Sequence, residues 1–134
     1  GTFFGDTLSL AAALATIKKM ERENVISHLH NVGSKIGAAI SHRSGASLEF
    51  SGIAPLKKIK FKSPEIQALF TQEMAQQGVL CLNANCVSYA IKEPEIQMIL
   101  KAYKHTLDLI DEASAHGQIQ KYLKGSVRAQ GLRK

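Results

Sequence analysis

Gly1-Thr2-Phe3-Phe4-Gly5-Asp6-Thr7-Leu8-Ser9-Leu10-Ala11-Ala12-Ala13 opens the chain. It reads as a tight loop that runs directly into a helix. Gly1 and Gly5 admit backbone angles closed to other residues. Asp6 suits an N-cap, because its carboxylate accepts from the first free amides of a helix. The Ala- and Leu-rich run behind it has high helix propensity. Such a loop can face an anion with free amides, the Thr2 hydroxyl and the positive end of a helix dipole. Asp6 at the cap would repel a phosphate held there, which places any phosphate nearer Gly1 and Thr2. The plainer reading of the same pattern is an ordinary helix start.

The helix is expected to run from about Thr7 to Glu23, with Leu10, Leu14, Ile17 and Met20 as its buried stripe. Asn24 reads as a break and a new cap. Val25, Ile26, Leu29, Val32, Ile36, Ala39 and Ile40 then mark a second helix that lasts to about His42. Gly33 and Gly37, four apart on it, point to close packing of a neighbour. Ser44 to Ser47 is a turn. Residues 48–53 alternate as a half-buried strand does. Pro55 interrupts, and Leu56, Ile59 and Phe61 among Lys57, Lys58, Lys60 and Lys62 make a second, antiparallel strand with charge on its outer face.

Ser63-Pro64-Glu65 combines cap, N1 proline and first-turn acid, so a third helix starts there, and Gly78 ends it. Val79 to Leu82 reads as a short buried strand, Asn83-Ala84-Asn85 as a turn, and Cys86 to Ile91 as the partner strand. Glu93-Pro94-Glu95 opens the last long helix, with Ile96, Ile99, Leu100, Tyr103, Leu107 and Ile110 inward and His116-Gly117 as its end. Gln118 to Leu123 fits one more helical turn, and the remaining residues read as frayed. This order predicts an α+β domain, a small antiparallel sheet with helices packed on one side. Residues 1–43 form the opening loop and two linking helices, 44–116 the α+β unit and 117–134 a basic tail.

Bulk composition narrows the function classes. A length of 134 residues supports one domain with a real core. The chain opens on Gly rather than Met, which reads as an excised or processed piece of a longer protein. No apolar run is long enough to span a bilayer and no signal-peptide pattern is present, so no membrane role is expected and the cytoplasm is the expected location. Net charge is +6 and the sequence pI is about 9.5. The basic residues are scattered over the first helix, the lysine strand and the tail from Lys121 to Lys134, with no acid after Glu112. That reads as solvated surface, and nucleic acid as an unlikely partner. Cys81 and Cys86, flanking an expected turn, are read as reduced thiols, although a bridge is geometrically open. His28, His30, His42, His105 and His116 show no metal spacing and are expected at the surface or its boundary.

Residues Gly1 to Ala15 resemble a segment of class III pyridoxal-phosphate aminotransferases, closest to the branch containing glutamate-1-semialdehyde aminomutase. In that family a Gly-Thr pair, a variable pair, Gly-Asn-Pro-Leu and an Ala-rich helix occur in this order. Gly78-Val79-Leu80-Cys81-Leu82, then Val87-Ser88-Tyr89-Ala90 and the helix from Pro94, give a second match. Tyr122-Leu123-Lys124-Gly125-Ser126-Val127 is similar to the closing segment of several members. The resemblance implies the C-terminal domain of a fold-type I pyridoxal-phosphate transferase.

What the resemblance implies can be stated residue by residue. Thr2 would hydrogen-bond the phosphate of pyridoxal phosphate across a homodimer interface, with the Gly1 amide beside it. Aminomutases of this branch carry Phe-Glu-Ala-Gly where Leu82 to Asn85 stand, and their acid approaches the substrate. Asn83 stands opposite that acid, and no carboxylate lies between Glu73 and Glu93. The departure bears against aminomutase activity and leaves transamination open. Lys92 stands where the family has a Thr cap, and Glu93 is the expected substitute. The lysine that bonds the cofactor and the acid that pairs with its ring nitrogen would both lie upstream of Gly1. The isolated fragment is therefore expected to be inactive, while the parent moves an amino group between a small-molecule amino donor and a carbonyl acceptor. The rival reading is a stand-alone basic α+β module that binds nucleic acid or an acidic partner through the lysine strand and the tail.

Overall fold

The computed structural model describes Thr2, residues 4–43 and residues 47–127. Its elements are α1 (Thr7–Arg22), α2 (Val25–Ser41), β1 (Leu48–Ile53), β2 (Leu56–Phe61), α3 (Pro64–Gln76), β3 (Ala84–Cys86), α4 (Glu93–Ala115) and α5 (Ile119–Tyr122). The three strands form one antiparallel sheet in the order β1-β2-β3. The fold is α+β, with helices against one face of a small sheet, as the sequence predicts.

The sheet face is set by period-two alternation. Leu48 pairs with Phe61 and Phe50 with Ile59 on the inner face, while Glu49 pairs with Lys60 and Ser51 with Lys58 on the outer one. Inward residues meet Val32, Ile36 and Ile40 of α2, Leu69, Phe70 and Met74 of α3, and Tyr103, Leu107 and Ile110 of α4 in one core. Tilted rings join the layers: the Phe61 and Phe70 centroids are 5.1 Å apart and those of Phe70 and Tyr103 6.0 Å. Burial pushes the Tyr103 phenol far above its usual range.

Helix ends follow local chemistry. Ser63 caps α3 through Ile66 N at 3.4 Å. Gly78, at φ +80°, follows the Gln77 C-cap. α4 begins at Glu93 with Lys92 in the cap position, so Glu93 does not cap. Instead the Glu95 carboxylate reaches back to the Lys92 amide at 2.9 Å. The α5 turn is held by Gln72, which donates to the Tyr122 carbonyl at 2.9 Å and accepts from the Lys124 amide at 2.8 Å.

Three expectations fail. First, no residue of α1 is buried: Leu10, Leu14 and Ile17 are 62%, 53% and 53% exposed. The stripe is real, but the described chain places nothing over it. Second, Val79 to Leu82 is not a strand. After Gly78 the Val79 amide closes on the Met74 carbonyl at 2.9 Å, and Leu80 is 86% exposed. Only Cys81 and part of Val79 turn inward. Third, Ala84 and Asn85, read as part of a turn, belong to the strand β3, and Asn83 stays in the bend before it. Asn83 O accepts from Ile59 N at 2.8 Å, Ala84 to Cys86 pair with β2, and Val87 N donates to Pro55 O at 2.9 Å. The chain then leaves the sheet, so Cys86 to Ile91 is no partner strand. α2 keeps its stripe at Val25, Val32, Ile36 and Ile40, but Ile26 and Ala39 are exposed.

Candidate functional site

Two places carry the sequence-derived candidates. At the start of α1, Asp6 accepts from the Ser9 amide at 2.9 Å. Hydrogen bonds from Ser9 hold its carboxyl below the usual range. An anion is thereby kept out of the helix mouth itself. Gly5, at φ +84°, precedes the cap in a turn. Thr2 sits in that turn, exposed. Gly1 lies outside the described residues. An exposed hydroxyl ahead of a capped helix fits a peripheral contact to a phosphate. The nearest lysines in sequence, Lys18 and Lys19, lie at the other end of the helix. The described chain therefore supplies a donor at Thr2 and no second wall for a cofactor.

Asn83 lies at the other place, where β2 ends and α3 begins. It is exposed, and with Ile59, Phe61, Lys62, Ser63, Pro64 and Gln67 it lines a cleft of about 230 Å³. None of these residues comes from α1, so the structure does not bring Thr2 and Asn83 into one site. Sequence reasoning missed Lys62 and Gln67. Lys62 read as one of four strand lysines, and Gln67 carried no signal of its own. Only the pairing pattern, with β3 starting at its Lys58 partner, shows that this strand edge is left open.

A third constellation was invisible in the sequence. Tyr89 leaves the sheet and docks at the α1–α2 corner. Its ring stands edge-on to His28 at 5.0 Å, and the Lys92 ammonium lies 3.9 Å from its centre. Burial raises its phenol, and its hydrogen bond to Glu23 raises it further. His28 Nε2 lies 3.0 Å from the Ile91 carbonyl. These contacts fasten the β3–α4 connection and leave His28 at the boundary, as expected for a structural histidine.

The lysine strand is divided. Lys58 and Lys60 face outward, and Lys60 lies 3.4 Å from Glu49. Lys57 is half-buried, with its Cε beside Gly37. Phe61 packs inward on Phe70, and Tyr122 is half-buried against the core. In the tail, Lys124 Nζ donates to Gln76 at 2.9 Å, and residues 128–134 lie outside the described residues. Cys81 is buried and Cys86 exposed, both as free thiols. Burial pushes the Cys81 thiol up, away from reactivity. Among the described residues no group of three or more His, Cys, Asp or Glu side chains is placed to hold a metal ion. No described helix is long and apolar enough to cross a membrane.

The fold class is thus a small α+β unit preceded by two helices, with a capped loop-to-helix entry. A solved structure shares it: the FumI protein of Sphingopyxis sp. MTA144, described in its pyridoxal-phosphate internal aldimine form. The TM-score is 0.72 at 20% identity, over 86% of this chain and 30% of that one. The likeness shows the fold, and the chain spans less than a third of that protein's length. No protein-family model matches the chain, and no curated protein does.

Proposed function

We propose that this chain is the C-terminal part of a pyridoxal-phosphate-dependent aminotransferase of class III, similar to the glutamate-1-semialdehyde aminomutase branch. The observation that carries the reading is the fold shared with a segment of a pyridoxal-phosphate protein. The motif-like stretches at Gly1 to Ala15 and Gly78 to Ala90, in the family's order, support the reading. The parent protein transfers an amino group between a small amino donor and a carbonyl compound. When bound, the cofactor supplies the electron sink for that exchange. Asn83, in place of an acid, favours transamination over the aminomutase reaction.

The role of this chain is positional. The Thr2 hydroxyl donates to a phosphate oxygen, with the Gly1 amide beside it, and the loop reaches the site of the second copy in a homodimer. Asp6 occupies the helix mouth, so the phosphate is met by Thr2 at the loop and not by the first turn of α1. The α+β unit caps the substrate side. The residues that bond the cofactor lie upstream, and the fragment alone is inactive.

The test is a Thr2→Val substitution in the full-length parent protein. Loss of one hydrogen bond to a charged phosphate costs about 1.5–3 kcal/mol. The dissociation constant for pyridoxal phosphate should therefore rise by about tenfold or more, with the dimer intact by sedimentation. An unchanged constant removes Thr2 from the cofactor site.

A further inference from the structure

The cleft at the end of β2 has a donor set of which the proposed transferase role uses only Asn83. Lys62, Gln67 and Asn83 converge on it from three segments, and none of their side chains has a hydrogen-bond or ion-pair partner among the described residues. A backbone donor joins them. The Lys62 amide donates to the Ser47 carbonyl at 3.0 Å, which makes Leu48 and Phe61 a non-hydrogen-bonded pair. The Phe61 N–H therefore faces the opposite edge. There β3 pairs only with Leu56 to Lys58, and Asn83 O takes the Ile59 amide. Phe61 N–H is left on the open edge that borders the cleft. A strand N–H without a partner is satisfied by water or by a ligand.

No lining residue of this cleft is acidic. The cleft between α2 and the start of α4 is larger, about 470 Å³, but its Lys35 already pairs with Glu93 at 2.9 Å. The apolar walls here are Ile59, Phe61 and Pro64. A small, partly apolar recess with a few convergent polar groups has the composition of a ligand site. One ammonium and three amide donors match a single carboxylate, while a phosphate dianion calls for more positive charge. Ser63 Oγ is already used in capping α3, so the helix mouth is not counted among the donors.

We propose that the cleft formed by Phe61, Lys62, Gln67 and Asn83 binds a small organic carboxylate. The site stands on this chain's own geometry and does not depend on the transferase reading.

The probe is sodium acetate, titrated into the ¹⁵N-labelled 134-residue chain at constant ionic strength, with sodium chloride and inorganic phosphate as parallel arms. Saturable shifts are expected at the Phe61 and Lys62 amides and at the side-chain amides of Gln67 and Asn83. Lys62→Gln should weaken acetate about tenfold or more, and Asn83→Ala about threefold to tenfold. Lys60→Gln, on the outer face, should leave the titration unchanged. Both Lys62 and Asn83 are exposed, so these variants keep the rest of the spectrum. The proposal is overturned if acetate acts no differently from chloride, or if binding survives Lys62→Gln. Tighter phosphate than acetate binding also overturns it. So do shifts centred on Ser114 to Gln120, which would place the anion in the neighbouring cleft that Lys62 also borders.

Discussion

At Gly33 the helix backbone of α2 lies against the turn that joins β1 to β2. A Cβ there would stand 2.1 Å from the Ala54 carbonyl oxygen, a backbone atom that cannot step aside. At Gly37 the nearest atom is Lys57 Cε at 3.2 Å, the end of a flexible chain. The two glycines look equivalent in the sequence, which correctly implies a close neighbour but cannot say which one touches it. Gly33→Ala should cost about 1–3 kcal/mol through overpacking, despite better helix propensity. Gly37→Ala should be neutral or stabilising by up to about 1 kcal/mol. Urea unfolding of both variants checks this, and equal effects would contradict the packing of α2 on the hairpin. Residue-scale capping was read well at three positions and missed at Glu93, which does not cap, and at Asn24, which holds the cap position without a side-chain bond. Asp6, Ser63 and Gly78 have short-range roles that depend only on the next few residues. Asn83 and Asn85 were read as turn formers; Asn83 does lie in the bend before β3, while at Asn85 strand pairing with β2 overrode the propensity.

Elements whose signal is long and periodic were legible: α2, α3 and α4 lie within a residue or two of the expected bounds, and the β1–β2 register follows the alternation. The segment between Gly78 and Glu93 was not legible. Its apolar run is short, and a short run does not distinguish a buried strand from an exposed connection. Two elements make separate predictions. Arg43, just past α2, pairs with Asp108 and Asp111 of α4, and Lys104 also donates to Asp108 at 2.7 Å. Hydrogen bonds from Lys104 and then Arg43 hold the Asp108 carboxyl below its ordinary value of 3.8. The native state therefore binds this proton less readily than the unfolded chain. The pairing contributes fully above about pH 4 and is lost as pH falls through the lowered native value. Asp108→Asn should lower the urea midpoint at pH 6, and its difference from the wild type should shrink below about pH 4. A difference that does not change with pH would sink the pairing.

α1 carries the second prediction at this scale. Fully burying each of Leu10, Leu14 and Ile17 would contribute about 1.5–3 kcal/mol, and in the described chain each stays more than half exposed. Leu14→Ser with Ile17→Ser should therefore change the stability of this chain by less than about 0.5 kcal/mol. If α1 packs against further polypeptide in the full-length parent, the same pair should cost several times more there. Denaturant curves in both contexts decide it. Equal costs would mean that α1 is uncovered in the parent too.

Across the whole molecule, one core ties α2, the sheet, α3 and α4 together, while the entry loop and α1 stand apart from it. That division fits a unit that closes on itself and an arm that reaches toward something larger. The fold class was legible because element order and periodicity define it. The two candidate sites differ in what the sequence shows of them. Thr2 is exposed and acts, in the proposed reading, on a cofactor held by other polypeptide. The cleft at Asn83 depends on where β3 starts, which no local pattern encodes.

The most direct measurement is made on the full-length parent protein. It is purified, its visible absorbance is recorded, and it is reduced with borohydride before peptide mapping by mass spectrometry. The account predicts a yellow protein whose pyridoxyl label sits on a lysine upstream of Gly1. A colourless protein that cannot be loaded with pyridoxal phosphate would contradict it, and would mean that this fold serves another use in the parent.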